Sequence, residues 1–233
     1  ARRVVDGDAA HRAKEGNVRE VVTGDDTGLR SYRPEACGGP IHLVNVTLNQ
    51  TRDDASGLYN ADRKGTLVTA SARALEVGPR DAAILRDGDA RHVGTLGRWI
   101  AASGAAASPG AGSYTSAGWA LLLFFLGVRL GYWLRAPLPP EGATPPRVAR
   151  GWRSIVKPLM LWSEAAAWFY GRARPWWYLS DGGHFDNTGV YPLLKRRLDF
   201  IILADDGADA DYRFADLENL VRKARIDFGA EIE

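Results

Sequence analysis

Phe200-Ile201-Ile202-Leu203-Ala204 is the stretch on which the fold reading turns. Five apolar residues in a row, with no polar alternation, predict a strand buried on both faces of a parallel sheet. Asp205 to Asp211 follows as an acidic turn. Phe214, Leu217, Leu220, Val221 and Ala224 then recur at helical spacing and predict an amphipathic helix. Beyond it, Ile226-Asp227-Phe228-Gly229-Ala230-Glu231-Ile232 alternates apolar and polar residues like a strand. Upstream of the run, Leu193–Leu198 reads as a helix and Tyr178-Leu179-Ser180 as a short strand. Strands alternating with helices point to an α/β fold with a mainly parallel sheet. The chain opens on Ala1 and stops at Glu233 within the last alternation, so the fold is expected to be incomplete at both ends.

Further towards the N-terminus the signals change. Residues 1–40 are polar and dotted with glycine, with Gly24-Asp25-Asp26 and Gly38-Gly39-Pro40 as turn signals, and are expected to be an irregular segment. Residues 41–233 form the expected folded part. It begins with Ile41-His42-Leu43-Val44-Asn45-Val46-Thr47-Leu48, whose alternation predicts a strand. Asp53–Gly65 reads as a loop. Ser116–Leu134 reads as a helix, with Ser116 as N-cap and Pro137 beyond its end. Five prolines between Pro137 and Pro146 predict a rigid connector. Trp152–Tyr170 carries apolar residues at 152, 155, 156, 159, 162, 166 and 169, close to a 3.6 period, and predicts a second helix.

Composition narrows the function. With Lys+Arg 30 against Asp+Glu 28 the formal net charge is only +2, so binding of nucleic acid by bulk charge is not expected. The single cysteine, Cys37, cannot form an internal disulfide or a Cys-x-x-Cys zinc site. Four scattered histidines lack ligand spacing, and Asp205, Asp206, Asp209 and Asp211 do not fit a calcium-loop pattern, so no metal is expected. The uncharged stretch Gly110–Val128 stops at Arg129, short of the roughly 20 apolar residues of a spanning helix, and a buried core helix is expected instead. Charge is unevenly spread. Residues 119–177 carry 8 basic and 2 acidic side chains and seven of the eight tryptophans, whereas the residues after 177 carry 7 basic and 12 acidic. Trp119, Phe124, Phe125, Trp162 and Phe169 are expected in the core. Arg172 and Arg174 beside Trp176-Trp177 are expected as a lip facing lipid, where rings and cations meet headgroups.

The segment with most chemical content is Ser180-Asp181-Gly182-Gly183-His184-Phe185-Asp186-Asn187-Thr188-Gly189. An aspartate at the C-terminal end of a strand occupies the edge where α/β sheets place their ligands. Two glycines after it remove side-chain bulk, so a substrate or a second backbone can come close. On residues alone the same pattern also describes a tight turn with a capping Asp.

This segment resembles the Asp-Gly-Gly/Ala motif of the patatin-like phospholipase family, in its bacterial branch. Downstream, Asp199–Asp205 and Arg222–Gly229 resemble the strand and helix after that motif. Upstream, Leu43–Asn49 resembles the family's inner strand, Ser103–Pro109 its Ser-Ala-Ala-Pro-like segment, and Gly127-Val128-Arg129-Leu130-Gly131 its Asn-Val-Arg-Leu-Gly. The likeness covers residues 40 to 233 in consistent order. It implies a three-layer α/β/α sandwich around a mainly parallel sheet. It also implies a serine esterase acting on phospholipid or lysophospholipid with a Ser-Asp dyad and no cofactor. Asp181 matches the family's aspartate, with Gly182 and Gly183 flanking the substrate. A bacterial cytoplasmic site, or the cytoplasmic face of a membrane, goes with it.

One departure matters. The family's nucleophile sits in a Gly-x-Ser-x-Gly elbow, and that pattern occurs nowhere in the chain. Ala101-Ala102-Ser103-Gly104-Ala105 has alanines where the elbow needs glycines. The nucleophile and the oxyanion loop are therefore expected upstream of Ala1. Two alternatives follow: an inactive scaffold or membrane-surface binding module with this fold, and an independent serine hydrolase using Ser103 and His184.

Overall fold

The computed structural model describes residues 26–52, 62–84, 93–136, 153–205, 207 and 209–232. The strands are β1 (Val44–Asn49), β2 (Gly65–Ala70), β3 (Ala74–Val77), β4 (Asp81–Ile84), β5 (Tyr132–Arg135) and β6 (Trp176–Asp181). The helices are α1 (Leu96–Ser103), α2 (Ala117–Leu126), α3 (Arg153–Ala165), α4 (Tyr191–Lys195) and α5 (Ala215–Phe228). The strands form one sheet in the order β4-β3-β2-β1-β6-β5, and every neighbouring pair is antiparallel.

The expected sandwich around a mainly parallel sheet is thus corrected. Parallel neighbours need a long crossover, whereas β2, β3 and β4 are joined by tight turns that can only reverse the chain. Ser71 builds the first turn, its Oγ accepting from the backbone N–H of Arg73 and Ala74. Gly78 builds the second, at φ +60°. The Phe200–Ala204 run, on which the parallel reading rested, is not a strand at all. Phe200 and Ile202 are 78% and 80% exposed, and only Ile201 leans on a core cluster. The alternation at Ile226–Ile232 is also corrected. Helix α5 runs through it to Phe228 and ends at Gly229, φ +62°. Its inward face is Leu220, Lys223, Ala224 and Asp227, spaced as a helix requires. Two of those four are charged, which hides the helical period from a hydrophobicity count. Asp227 is held by Arg63 at 2.6 Å and by the Tyr191 hydroxyl at 2.6 Å.

Other elements agree with the sequence in kind and differ in length. The first expected strand forms as β1. Ser116 does cap α2, accepting from the Trp119 N–H at 3.2 Å, but Gly127 (φ +71°) ends the helix at Leu126 and the chain goes on into β5. The second expected helix forms as α3 and ends at Ala165. The 137–146 connector and most of the 53–65 loop and of the 1–40 segment lie outside the described residues.

Both faces of the central strands are covered. Val46, Leu48, Val68, Leu75 and Val77 pack with Trp99 of α1 and with Trp177. Leu67 turns the other way, to Phe185, Val190, Tyr191 and Leu220. A third cluster joins α2 to β6: Phe169 stacks on Tyr178 at 4.4 Å between centroids, with Ala120 and Ala167 against them. Trp177 is 1% exposed, so the expected lip loses its central ring to the core. Successive strand residues face opposite ways, so β6 turns Trp177 and Leu179 to one cluster and Tyr178 to another. Of the five aromatics expected in the core, Phe169 is buried. Trp119, Phe125 and Trp162 are exposed, by 46%, 77% and 73%.

Candidate active site

Asp181 is the last residue of β6, paired with Val46 of the central strand β1. After it the chain makes a single 3-10 turn, Gly182–His184, and Asp181 caps that turn: its Oδ1 accepts from the Gly183 N–H at 2.7 Å. The capping role foreseen as the plainer reading is therefore real. It uses one carboxylate oxygen. Among the described residues Oδ2 accepts no hydrogen bond, and the side chain borders two adjoining clefts of about 570 and 580 Å³.

The glycines divide the work. A Cβ on Gly182 would lie 2.6 Å from the Asn45 carbonyl oxygen, so Gly182 is what lets the turn press against β1. Gly183 borders both clefts beside Asp181.

A hydrogen-bonded chain behind Asp181 fixes the wall of the cleft of about 570 Å³, which Ala106 and His184 line. The fully buried Asn49 donates from Nδ2 to Ser180 Oγ at 2.8 Å, and its Oδ1 accepts from the Gly112 N–H at 2.9 Å. His184 Nε2 stands 3.2 Å from the Ala106 carbonyl, which can only accept, so Nε2 carries the proton. Nδ1 is then an acceptor, and the Ser180 hydroxyl, 2.9 Å away, donates to it. The chain links β1, β6 and the 106–112 loop and leaves neither imidazole nitrogen for another partner. Gly112 belongs to the same joint: at φ +53° its Cβ would lie 2.5 Å from the His184 carbonyl oxygen.

Burial holds the His184 imidazole below its ordinary value of 6.5, against the pull of the Asp181 charge and the Ala106 carbonyl. The native ring is therefore neutral where the unfolded ring is already protonated. Its contribution to stability is present above about pH 6.5 and lost as pH falls through that value towards the native pKa. Melting temperature is expected to drop between about pH 7.5 and pH 5.5, and to drop less in His184→Gln. Equal drops in the two proteins would remove His184 as the cause.

The remaining expected residues fall as follows. Ser103 borders the second cleft together with Asp181, Gly182 and Gly183. It is the last residue of α1, at the negative end of a helix, where a developing alkoxide is disfavoured and no strand-to-helix elbow exists. Arg174 is exposed and lies over the Tyr170 ring at 5.0 Å, Arg172 is half-buried beside it, and Trp176 pairs with Arg135 on the edge strand β5. Among the cleft residues that the sequence did not single out are Ser113, Asn187, Asp216 and Glu218. Asn187 and Asp216 are tied at 2.7 Å. For Asn187 the only sequence signal is proximity to Asp181, and for Asp216 and Glu218 it is placement on α5; Ser113 has none. Asn49, the last residue of β1, is the buried hub of the network. No protein-family model, curated protein or solved structure matches the chain.

Proposed function

We propose that this chain carries the aspartate half of a Ser-Asp lipid acyl hydrolase of phospholipase A or lysophospholipase type. The observation that carries the reading is Asp181: a carboxylate at a strand end that borders two clefts, with one oxygen pinned by the turn and the other accepting no hydrogen bond among the described residues. In the proposed reaction a serine oxygen attacks the ester carbonyl while Asp181 Oδ2 takes the hydroxyl proton. The carbon–oxygen bond to the leaving alcohol breaks and that proton passes to the alcohol. Water then hydrolyses the acyl-enzyme by the same route, with Asp181 as base. The serine would come from a Gly-x-Ser-x-Gly elbow, a pattern these 233 residues do not contain. Arg222 on the cleft wall suits a headgroup phosphate, and Asp216 and Glu218 beside it suit the ammonium of a zwitterionic headgroup. No helix among the described residues is long and apolar enough to cross a membrane. The place of action proposed is a bacterial cytoplasm or the cytoplasmic face of its membrane.

The bonding of His184 weighs against a hydrolase built on Ser103 and His184, since both ring nitrogens are already engaged. The reading is tested by labelling with a fluorophosphonate probe, applied to this chain and to the longest reading frame containing it. Labelling of the long form alone, on an elbow serine, is the expected result. Labelling of the chain itself, abolished by Ser103→Ala, would sink it.

A further inference from the structure

Helix α2 reads Ala-Gly-Trp-Ala-Leu-Leu-Leu-Phe-Phe-Leu, apolar all round, yet only Ala120 and Leu123 are buried. A helix of that composition belongs inside a protein or in lipid. Its outer side shows Trp119, Leu122 and Phe125, exposed by 46%, 48% and 77%. The neighbouring α3 and the loop after it add Leu159, Trp162 and Trp168, exposed by 54%, 73% and 47%. Scattered apolar side chains are normal on a surface, but this many large exposed ones on two helices that contact each other, and on the loop after them, mark an interaction face.

The charges around that face choose its occupant. Arg52 lies over the Trp168 ring at 5.1 Å and Arg129 over the Phe124 ring at 5.8 Å, while Lys157 is exposed on α3. The two helices hold a single acid, Glu164, which is 7% exposed and bound by Trp133 Nε1 at 2.7 Å and Arg129 at 3.6 Å. An apolar face rimmed by cations, with its one acid turned inward, is complementary to an anionic bilayer. Two copies of the chain set face to face would bring like charges together. Length decides the mode of contact. Ten residues make a helix about 15 Å long, half the hydrocarbon thickness, so α2 lies in the interface and does not span it. The chain connects the face to the cleft. Tyr114, 77% exposed, borders the opening that holds Asp181 and precedes the start of α2 by three residues.

We propose that α2, α3 and Trp168 form an interfacial docking face for anionic lipid bilayers. This deepens the hydrolase reading by naming the surface through which a lipid would reach Asp181.

The test is co-sedimentation and tryptophan emission of the full chain with vesicles of equal parts phosphatidylcholine and phosphatidylglycerol, and with vesicles of phosphatidylcholine alone. Binding and a blue shift are expected on the mixed vesicles, with weaker binding to the neutral ones. Phe125→Ser combined with Trp162→Ser is expected to weaken binding by about tenfold or more, because each ring would bury an apolar side chain in lipid. Both positions are exposed, so the melting temperature should hold. Arg52→Glu with Lys157→Glu is expected to erase the preference for phosphatidylglycerol. Binding of the double serine variant equal to that of the parent would overturn the proposal, as would equal affinity for the two vesicles. Sedimentation equilibrium supplies the other contrary outcome, a dimer that the serine variant breaks, which would give the face to a second copy. Asp181→Asn separates the two readings: vesicle binding should persist whether or not hydrolysis is found.

Discussion

Asp181→Asn is expected to lower acyl-enzyme formation and ester hydrolysis by roughly 10²–10⁴-fold, the range for loss of a positioned general base. The substitution is a narrow one. An asparagine Oδ1 can still accept from the Gly183 N–H, so the 3-10 turn that Asp181 caps should keep its shape. What it replaces is Oδ2, the oxygen the turn does not use, with an amide that cannot take a proton. The assay is fluorophosphonate labelling and fatty-acid release in the form of the protein that carries an elbow serine, with melting temperature as the control on folding. Unchanged rates with an unchanged melting temperature would leave Asp181 as a turn cap and nothing more, and the scaffold reading would then stand.

The second large effect is on stability. Trp177→Ala is expected to cost about 3–5 kcal/mol, as for other large core aromatics. The ring is 1% exposed and sits in the main cluster with Val46, Leu48 and Trp99, so removing it opens a cavity in the middle of the fold. A loss of that size is a large part of the roughly 5–15 kcal/mol that holds a domain together. The indole N–H finds no partner among the described residues, and an unpaired buried donor is itself unfavourable. Trp177→Phe is therefore expected to be far milder than Trp177→Ala. Urea unfolding of the three proteins checks this. Near-parental stability of Trp177→Ala, coupled with weaker vesicle binding, would restore Trp177 to the lipid-facing lip.

The pair Trp176-Trp177 shows how far the sequence could be read. It does not say which ring faces out, because in a strand that depends on register, and register is fixed here by β1 and β5 on either side of β6. Strand direction was harder still. Phe200–Ala204 has the composition of a buried parallel strand, but composition cannot supply a neighbour to pair with, and the run ends up with two of its largest side chains in water. The real evidence for the sheet lay at residues 65–81, where Thr66-Leu67-Val68-Thr69-Ala70 and Ala74–Val77 are separated by Ser71-Ala72-Arg73 and followed by Gly78-Pro79. That is a reversing meander. β2 is buried on both faces, so it lacks the alternation that would announce it. In the site, Asp181 and its glycines were legible because a strand end followed by Gly-Gly is a local pattern. Asn49, 132 positions earlier than Asp181 in the chain, was not. Its role exists only once β1 and β6 are side by side. On α2 the apolar residues were legible as a helix, but which of them would be covered was not, because that depends on what packs against it.

The join between Gly182 and the Asn45 carbonyl has a bearing on which parts of the protein open together. Asp181 is tied to the middle strand of the six, and amides of central strands are the last to exchange with solvent. Helices α2 and α3 carry less buried surface, and their amides should exchange far sooner. Asp181 would then stay in place during excursions that loosen the two outer helices. Lipid could disturb the outside of the molecule repeatedly without disordering the carboxylate that waits behind it.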